Sequence, residues 1–263
     1  MSAAVYGVLE TSLRERRELG VKSLVVYLTG GLPGWMDMVR AAADAGADAI
    51  EIGIPFSDPV MDGPVIQEAS DRALAAGATP PGILADVATL DAGVPLAIMT
   101  YYNLVYRFGL ERFARTASEA GISGVILPDL PLEESGEWCV AADAAGIETV
   151  MLAAPTAPAE RLPRVCSRAR GFVYGVGLLG ITGERDSLAS SALDIARRLK
   201  AVTDVPVLVG VGVSTPAQAV EACAVADGVI VGSAVVRRAI EVGTAESVGS
   251  LVAEFRAALD AKC

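Results

Sequence analysis

Histidine is absent from this chain of 263 residues, and lysine occurs only at Lys22, Lys200 and Lys262. The absence of histidine excludes a Ser-His-Asp triad, the commonest general base and most zinc sites. Lys22 precedes the first predicted strand, Lys200 falls late in a predicted helix and Lys262 is in the C-terminal tail. None of the three is placed to form a Schiff base with a substrate.

Cysteine is also scarce. The four cysteines are far apart in the sequence and share no metal-ligand spacing, so we expect no metal site. Isolated cysteines of this kind are typical of a cytoplasmic protein, in which thiols stay reduced. No segment approaches the about 20 apolar residues of a membrane span, and the N-terminus lacks the apolar core of a signal peptide. The net charge of −11 argues against nucleic acid as a partner.

A repeated unit is present instead, consisting of an alanine-rich helix, a glycine and a short run of Val, Ile and Leu. The runs are apolar throughout, as expected of strands buried on both faces of a parallel sheet. They occupy residues 23–28, 48–52, 96–100, 124–128, 148–153, 171–175, 205–210 and 228–232. Helices are predicted at 4–19, 36–46, 64–77, 82–90, 109–120, 132–145, 158–169, 189–202, 215–225 and 243–261.

Eight strand–helix units in a chain of this length predict a (β/α)8 TIM barrel of the α/β class, with an extra N-terminal helix. No linker or change of composition divides the chain, so we expect one domain over residues 1–263. A doubly wound open sheet is the alternative for the same alternation.

Glu51 interrupts the second apolar run, AIEIG. Alternation along a strand directs Ile50 and Ile52 to one side and Glu51 to the other. Because barrel active sites lie at the carboxyl ends of the strands, we expect Glu51 to point inward at the substrate cavity. Partial desolvation there would raise the pKa of the carboxyl to a value useful for proton transfer. The alternative is a structural glutamate bonded to backbone or arginine.

A second carboxylate, Asp62, follows in the loop SDPVMDGP, which also contains Asp58. Asp before Gly and Asp before Pro are common in turns, so either residue alone is compatible with a purely structural role.

Glycine-rich segments follow the last three predicted strands, at residues 177–183, 210–214 and 231–235. Glycines let backbone amides approach an anion, and barrel enzymes often bind phosphate after strands seven and eight. We therefore expect a phosphorylated ligand, whereas the alternative is that these glycines only form tight turns. With no suitable lysine or metal, a carbon–carbon cleavage would need a substrate that carries its own electron sink. The residues alone leave a lyase and an isomerase open.

Residues 50–64, IEIGIPFSDPVMDGP, closely resemble the signature of the tryptophan synthase alpha chain family. Further matching segments follow the family in order: YLTGGLP (27–33), TYYNLV (100–105), LPDLPLEES (127–135), GITG (180–183), GVGVSTP (210–216) and VGSAVV (231–236). The resemblance implies reversible retro-aldol cleavage of indole-3-glycerol phosphate to indole and glyceraldehyde 3-phosphate. The indole ring would then be the electron sink.

The resemblance also implies a role for particular residues. Glu51 matches the general acid/base, and Asp62 matches the carboxylate that holds the indole N–H. Residues that match the substrate pocket are Tyr27, Ile66, Tyr101, Asp129, Tyr174 and Thr182. Residues that match the phosphate site are Gly183, Gly212, Gly232 and Ser233. The chain departs from the usual family pattern at Met61, at Tyr27 and at the pair Leu178–Leu179.

The same resemblance implies that the chain holds no cofactor and works with a beta chain, which carries pyridoxal phosphate, in an α2β2 heterotetramer. Two rival hypotheses are kept. One is another phosphate-binding TIM-barrel isomerase of amino-acid biosynthesis, and the other is a barrel that has lost catalysis and only activates its partner.

Overall fold

Eight parallel strands form a closed barrel in which each strand pairs with its neighbours in sequence and the eighth pairs with the first. The structure is a computed structural model, and it describes residues 6–177, 190–210 and 212–262. The strands are β1 (Ser23–Thr29), β2 (Ala49–Gly53), β3 (Leu96–Met99), β4 (Ile122–Ile126), β5 (Glu148–Ala153), β6 (Val173–Gly175), β7 (Val207–Val209) and β8 (Gly228–Val231). The predicted barrel is confirmed and the open-sheet alternative is wrong.

Helices surround the barrel and close one of its ends. In the described ranges they are α1 (Val8–Glu18), α2 (Trp35–Asp44), α3 (Pro64–Ala75), α4 (Pro80–Val87), α5 (Tyr102–Phe108), α6 (Leu110–Glu119), α7 (Gly136–Ala145), α8 (Arg161–Arg168), α9 (Ser190–Lys200), α10 (Pro216–Cys223), α11 (Ser233–Glu241) and α12 (Ala245–Lys262). A short 3-10 helix, Leu132–Glu134, precedes α7. Within these ranges no helix is both long enough and apolar enough to cross a membrane.

Helices α5 and α11 lie outside the set predicted from periodicity. Helix α5 has only seven residues, which is too short for an amphipathic pattern to be distinguished. Helix α11 is separated from α12 by only three residues, so the apolar positions of the two merge in sequence. Both helices begin directly after a strand, at the carboxyl end of the barrel.

Alternation along each strand divides the apolar side chains between two clusters. Ile50 and Ile52 belong to the outer cluster between the strands and the helices, whereas Ala49 belongs to the cluster inside the barrel. A strand with this alternation directs Glu51 to the inside. The outward and inward sides predicted for the second strand are those observed.

Helix α1 closes the end of the barrel formed by the amino ends of the strands. Leu9 and Leu13 pack with the side chains inside the barrel and are fully buried. The carboxylate of Glu148, the first residue of β5, accepts hydrogen bonds from the amides of Leu9 at 2.7 Å and Glu10 at 2.9 Å. These are first-turn amides without a partner inside the helix, and the negative charge favours this end of the helix dipole. A buried carboxylate therefore fixes the extra helix to the barrel.

We expect Glu148→Ala to lower the free energy of unfolding by about 2–4 kcal/mol, because it leaves two buried amides without an acceptor. Urea denaturation at pH 7 measures this, with Glu254→Ala on the exposed face of α12 as the control. A loss no larger than that of the control would show that the contact does not hold α1 in place.

Candidate active site

Glu51 is fully buried inside the barrel, near the carboxyl end of β2. Neither of its carboxylate oxygens has a hydrogen-bond partner among the described residues. Burial raises the pKa of this carboxyl from its usual 4.5 to about 8. A carboxyl in this state holds its proton at neutral pH and can give it to a bound molecule. The alternative of a structural glutamate bonded to backbone or arginine has no contact to support it in the described part of the chain.

Two tyrosines lie close to Glu51. Tyr27 is its neighbour in the register between β1 and β2, and Tyr174 is in β6 on the inside of the barrel. Burial raises the pKa of the Tyr174 phenol first, and the charges of Glu51, Tyr27 and Asp62 raise it further. For Tyr27, burial comes first and the charge of Asp62 second. Both phenols therefore stay neutral and face the two candidate catalytic carboxylates.

Two glycines make room for these tyrosine side chains. A Cβ atom on Gly53, at the end of β2, would overlap the hydroxyl of Tyr27. A Cβ atom on Gly210, just after β7, would overlap the hydroxyl of Tyr174. The sequence analysis missed both glycines as pocket residues, because the need for glycine comes from a side chain on another strand.

Asp62 lies on the loop between β2 and α3, where it is half-buried. The hydroxyl of Tyr101 accepts a hydrogen bond from the amide of Met61 at 2.9 Å and interacts with the neighbouring Asp62 carboxylate. The side-chain amide of Gln67 donates to the Asp62 carbonyl at 2.7 Å. Burial raises the pKa of Asp62, and the hydrogen bond from Tyr101 opposes this effect. Asp62 therefore does more than form a turn, because its side chain is held towards the mouth of the barrel.

The other predicted pocket residues lie around the same mouth. Ile66 is buried in the first turn of α3, and Tyr101 is buried directly after β3. Asp129 follows β4 and is exposed, and its two carboxylate oxygens accept from the Tyr102 amide at 2.9 and 3.1 Å. This contact gives a partner to the first amide of α5 and joins the start of that helix to the loop after β4.

Three of the four predicted phosphate residues, Gly212, Gly232 and Ser233, follow the last two strands. Gly232 precedes α11, and a Cβ atom there would lie 3.6 Å from the Cβ of Tyr27. Gly212 has a φ of +89° and faces open space. Ser233 is the first residue of α11, where the helix dipole favours an anion. Gly183 and Thr182 lie outside the described residues, as does the pair Leu178–Leu179.

Hydrogen bonds that were not predicted order the loop between β7 and α10. The side-chain oxygen of Gln218 accepts from the amides of Ser214 at 2.7 Å and Thr215 at 3.1 Å, and Thr215 caps the Gln218 amide. This capping box fixes the turn beside Gly212. In the sequence, the spacing Thr-x-x-Gln is the feature that indicates this capping box.

A closed (β/α)8 barrel has a buried carboxyl at the carboxyl ends of its strands, without a hydrogen-bond partner in the described part of the chain, and this is the architecture of a barrel enzyme. The family model described as "Tryptophan synthase alpha chain" matches residues 13–260. The chain belongs to the tryptophan synthase alpha chain family.

Similar proteins cover nearly the whole chain. The tryptophan synthase alpha chain of Thermobifida fusca is 44% identical over 261 residues, which is 97% of each chain. That of Methanosarcina mazei is 47% identical over 236 residues, 88% of this chain and 85% of the relative. A solved structure of Mycobacterium tuberculosis tryptophan synthase superposes with a TM-score of 0.90 at 36% identity, covering 97% of this chain and 99% of the other.

Proposed function

We propose that Glu51 is the general acid/base with which this chain cleaves indole-3-glycerol phosphate to indole and glyceraldehyde 3-phosphate. The chain is a lyase of tryptophan biosynthesis, as its family membership shows. The observation that carries the assignment of Glu51 is its burial at the mouth of the barrel, with no hydrogen-bond partner in the part of the chain that the structure describes. The same residue must first donate and then accept a proton, and a pKa of about 8 suits both tasks near neutral pH.

The proposed reaction begins with the neutral Glu51 carboxyl. It donates its proton to C3 of the indole ring, which gives an indolenine cation. The Glu51 carboxylate then takes the proton from the glycerol hydroxyl beside the scissile bond. The oxygen forms the aldehyde as the carbon–carbon bond breaks, and the bonding electrons return to the ring to restore indole. Atoms and charges balance without a metal or an external electron acceptor.

In this mechanism, Asp62 accepts a hydrogen bond from the indole N–H as positive charge develops on the ring. The side chains of Tyr27, Ile66, Tyr101 and Tyr174 form the pocket around the ring, together with Asp129 and Thr182. The phosphate binds to backbone amides of Gly183, Gly212 and Gly232 and to Ser233 at the start of α11. Support for this placement comes from Tyr27, whose ring lies beside Gly232 at its base and beside Gly53 at its hydroxyl.

The full chain incubated with indole-3-glycerol phosphate is expected to release indole and glyceraldehyde 3-phosphate in equal amounts. We expect no loss of rate with a metal chelator and no requirement for added pyridoxal phosphate. Product analysis by chromatography checks both. A product that keeps the carbon–carbon bond would instead support the barrel isomerase, and no reaction at all would support the barrel that has lost catalysis.

The partner in this proposal is a tryptophan synthase beta chain, bound in an α2β2 heterotetramer. The beta chain would hold the pyridoxal phosphate, and this chain would hold no cofactor. Among the described residues, no group of histidines, cysteines and acids is placed to bind a metal ion. Support for the partner comes from structural neighbours that are tryptophan synthases, and from the exposed apolar side chains of Val60, Met61 and Tyr106. Sedimentation of the mixed chains tests the stoichiometry.

Two further parts of the proposal concern the chain as a whole. We place it in the cytoplasm, which is supported by the buried thiols of Cys139, Cys166 and Cys223, none of which is in a disulfide in the described part of the chain. We also treat residues 1–263 as one domain, because the first and last strands pair and helix α12 packs on α2.

Substitution of Gly53 tests the close approach of the Tyr27 side chain. We expect Gly53→Ala to lower kcat/KM about 10- to 100-fold, because the new methyl group displaces the Tyr27 ring beside Glu51. Gly136→Ala is the matched control, since a Cβ atom there meets nothing within 4 Å. Steady-state release of indole measures both. Equal activity of the two variants would contradict the importance of this contact.

A further inference from the structure

We propose that Tyr101 is a positioning residue whose hydroxyl holds the Asp62 carboxylate in its working place, and that Asp129 in turn fixes Tyr101. The inference rests on the proposed function, in which Asp62 holds the indole N–H. Under this inference, Tyr101 and Asp129 affect the reaction through Asp62, in addition to lining the substrate pocket.

A single hydroxyl group contacts two successive residues of the loop. It accepts a hydrogen bond from the Met61 amide, with 2.9 Å between nitrogen and oxygen, and it lies close enough to the Asp62 carboxylate for the two groups to shift each other's pKa. The hydrogen bond fixes the backbone just before Asp62, and the proton of the hydroxyl remains for the Asp62 side chain. Because the Tyr101 side chain is only 5% exposed, water competes little for either contact.

Among the described residues, the other side-chain hydrogen bond to this part of the loop runs from the Gln67 amide to the Asp62 carbonyl. That bond holds the main chain but leaves the direction of the carboxylate free. The Tyr101 hydroxyl is therefore the contact that aims the carboxylate. Losing it would leave Asp62 on its loop but without a fixed orientation.

Tyr101 is itself supported from two sides. Its ring packs against Phe56, with 5.1 Å between ring centroids and 32° between planes. On the other side, the Asp129 carboxylate accepts from the amide of Tyr102, the residue that follows Tyr101. The support therefore runs from the end of β4 through the end of β3 to the loop after β2. Three neighbouring strand ends act together on one carboxylate.

The hydroxyl also favours the charged form of Asp62. Burial raises the pKa of Asp62, and donation from Tyr101 lowers it. Tyr27 and Tyr174 also face the Asp62 charge, and burial followed by charges, including that of Asp62, raises the pKa of both phenols. Ionised Asp62 is the form that can accept the indole N–H. Removing the Tyr101 hydroxyl should therefore make Asp62 harder to ionise.

The first test is Tyr101→Phe in the full chain, which keeps the ring packed on Phe56. We expect kcat to fall about 10- to 100-fold with little change in KM, because a hydrogen bond to a charged group is lost. The acid limb of the pH–rate profile should move to higher pH. Tyr6→Phe, at the opposite end of the barrel, is the control and should match the parent chain in rate and profile.

A double-mutant cycle with Asp62→Asn decides how Tyr101 acts. In the Asp62→Asn background, Tyr101→Phe should lower the rate by less than about threefold, because the carboxylate it serves is gone. Single-turnover release of indole at excess enzyme measures these slow variants. Equal losses in both backgrounds, or an unmoved acid limb, would overturn the inference and assign Tyr101 to the substrate or to the fold.

The cycle also separates this inference from the proposed function. If Asp62→Asn itself has parental activity, then the role proposed for Asp62 fails. If Asp62→Asn is impaired and Tyr101→Phe does not couple to it, then only the positioning role fails. Thermal unfolding of each variant shows whether an impaired variant is folded.

Asp129 is tested by comparing two substitutions. We expect Asp129→Ala to shift the acid limb in the same direction as Tyr101→Phe, with a loss of about 3- to 10-fold in kcat. Asp129→Asn should lose less than Asp129→Ala, because its amide oxygen can still accept from Tyr102. Identical losses in the two variants would show that the negative charge acts directly, which overturns the positioning role of Asp129.

Discussion

Replacing Glu51 with glutamine is expected to lower kcat/KM for indole release by about 10³-fold or more, since general acid/base groups alone contribute about 10² to 10⁴. Glutamine has nearly the same shape, but it can neither donate the proton to C3 nor take the proton from the hydroxyl. The loss should appear in kcat, because the residue acts in the transition state rather than in ground-state binding.

The pH dependence gives this prediction a second readout. Burial raises the pKa of Glu51 to about 8, so the acid form required for the first step is present at pH 7 and is lost as the pH rises through about 8. We expect kcat/KM of the parent chain to fall about tenfold per pH unit above this value. Any residual rate of Glu51→Gln should lack this basic limb.

The Glu51→Gln substitution should lower activity but, at higher pH, raise stability relative to the parent chain. The folded pKa of about 8 lies above the usual 4.5, so the folded chain keeps a proton that the unfolded chain releases. The folded state then loses stability as the pH rises between these two values. Glutamine carries no charge at any pH. We therefore expect the melting temperature of Glu51→Gln, relative to the parent chain, to rise from pH 6 to pH 8.5.

Glu119→Gln, on the exposed end of α6, is the control for both measurements. Indole release that survives Glu51→Gln undiminished would rule out the acid/base role of Glu51. A difference in melting temperature that stays constant with pH would show that Glu51 is not a buried neutral acid.

Replacing Asp62 with asparagine is the second large effect that we expect, with a loss of about 10²- to 10³-fold in kcat. Asparagine can still accept a hydrogen bond from the indole N–H, but it has no charge to stabilise the cation formed when C3 is protonated. The effect should therefore fall on the rate and leave substrate binding nearly unchanged. Measurement of kcat and KM for indole release checks this division.

The titration of Asp62 is also expected to determine how kcat changes on the acid side of the pH profile. Its pKa is raised by burial and lowered by Tyr101, with burial the larger effect. The parent chain should therefore lose activity on the acid side at a pH above the usual range of an aspartate, and Asp62→Asn should lack that limb. Asp71→Asn, exposed on α3, is the matched control. A rate for Asp62→Asn within twofold of this control would contradict the proposed role (about 0.4 kcal/mol in barrier).

Much of the fold could be predicted because buried parallel strands have a simple signal. Eight short apolar runs predicted eight strands with bounds that differ from the observed ones by at most a few residues. Alternation within AIEIG was enough to direct Glu51 inward, and the rule that barrel sites lie at the carboxyl ends of strands predicted that it faces the substrate cavity. Helices α5 and α11 were harder, because short helices next to a strand or another helix lack a clear period.

The sequence by itself therefore determined the barrel, the inward direction of Glu51 and the family. Local chemistry and strand alternation were sufficient, since both depend on neighbours in the chain. Only the tertiary structure decided that Glu148 would hold α1, that Gly53 and Gly210 would face tyrosines, and that Tyr101 would bind both Met61 and Asp62. These contacts join residues on different strands and loops, and their existence depends on the closed barrel bringing those distant segments together.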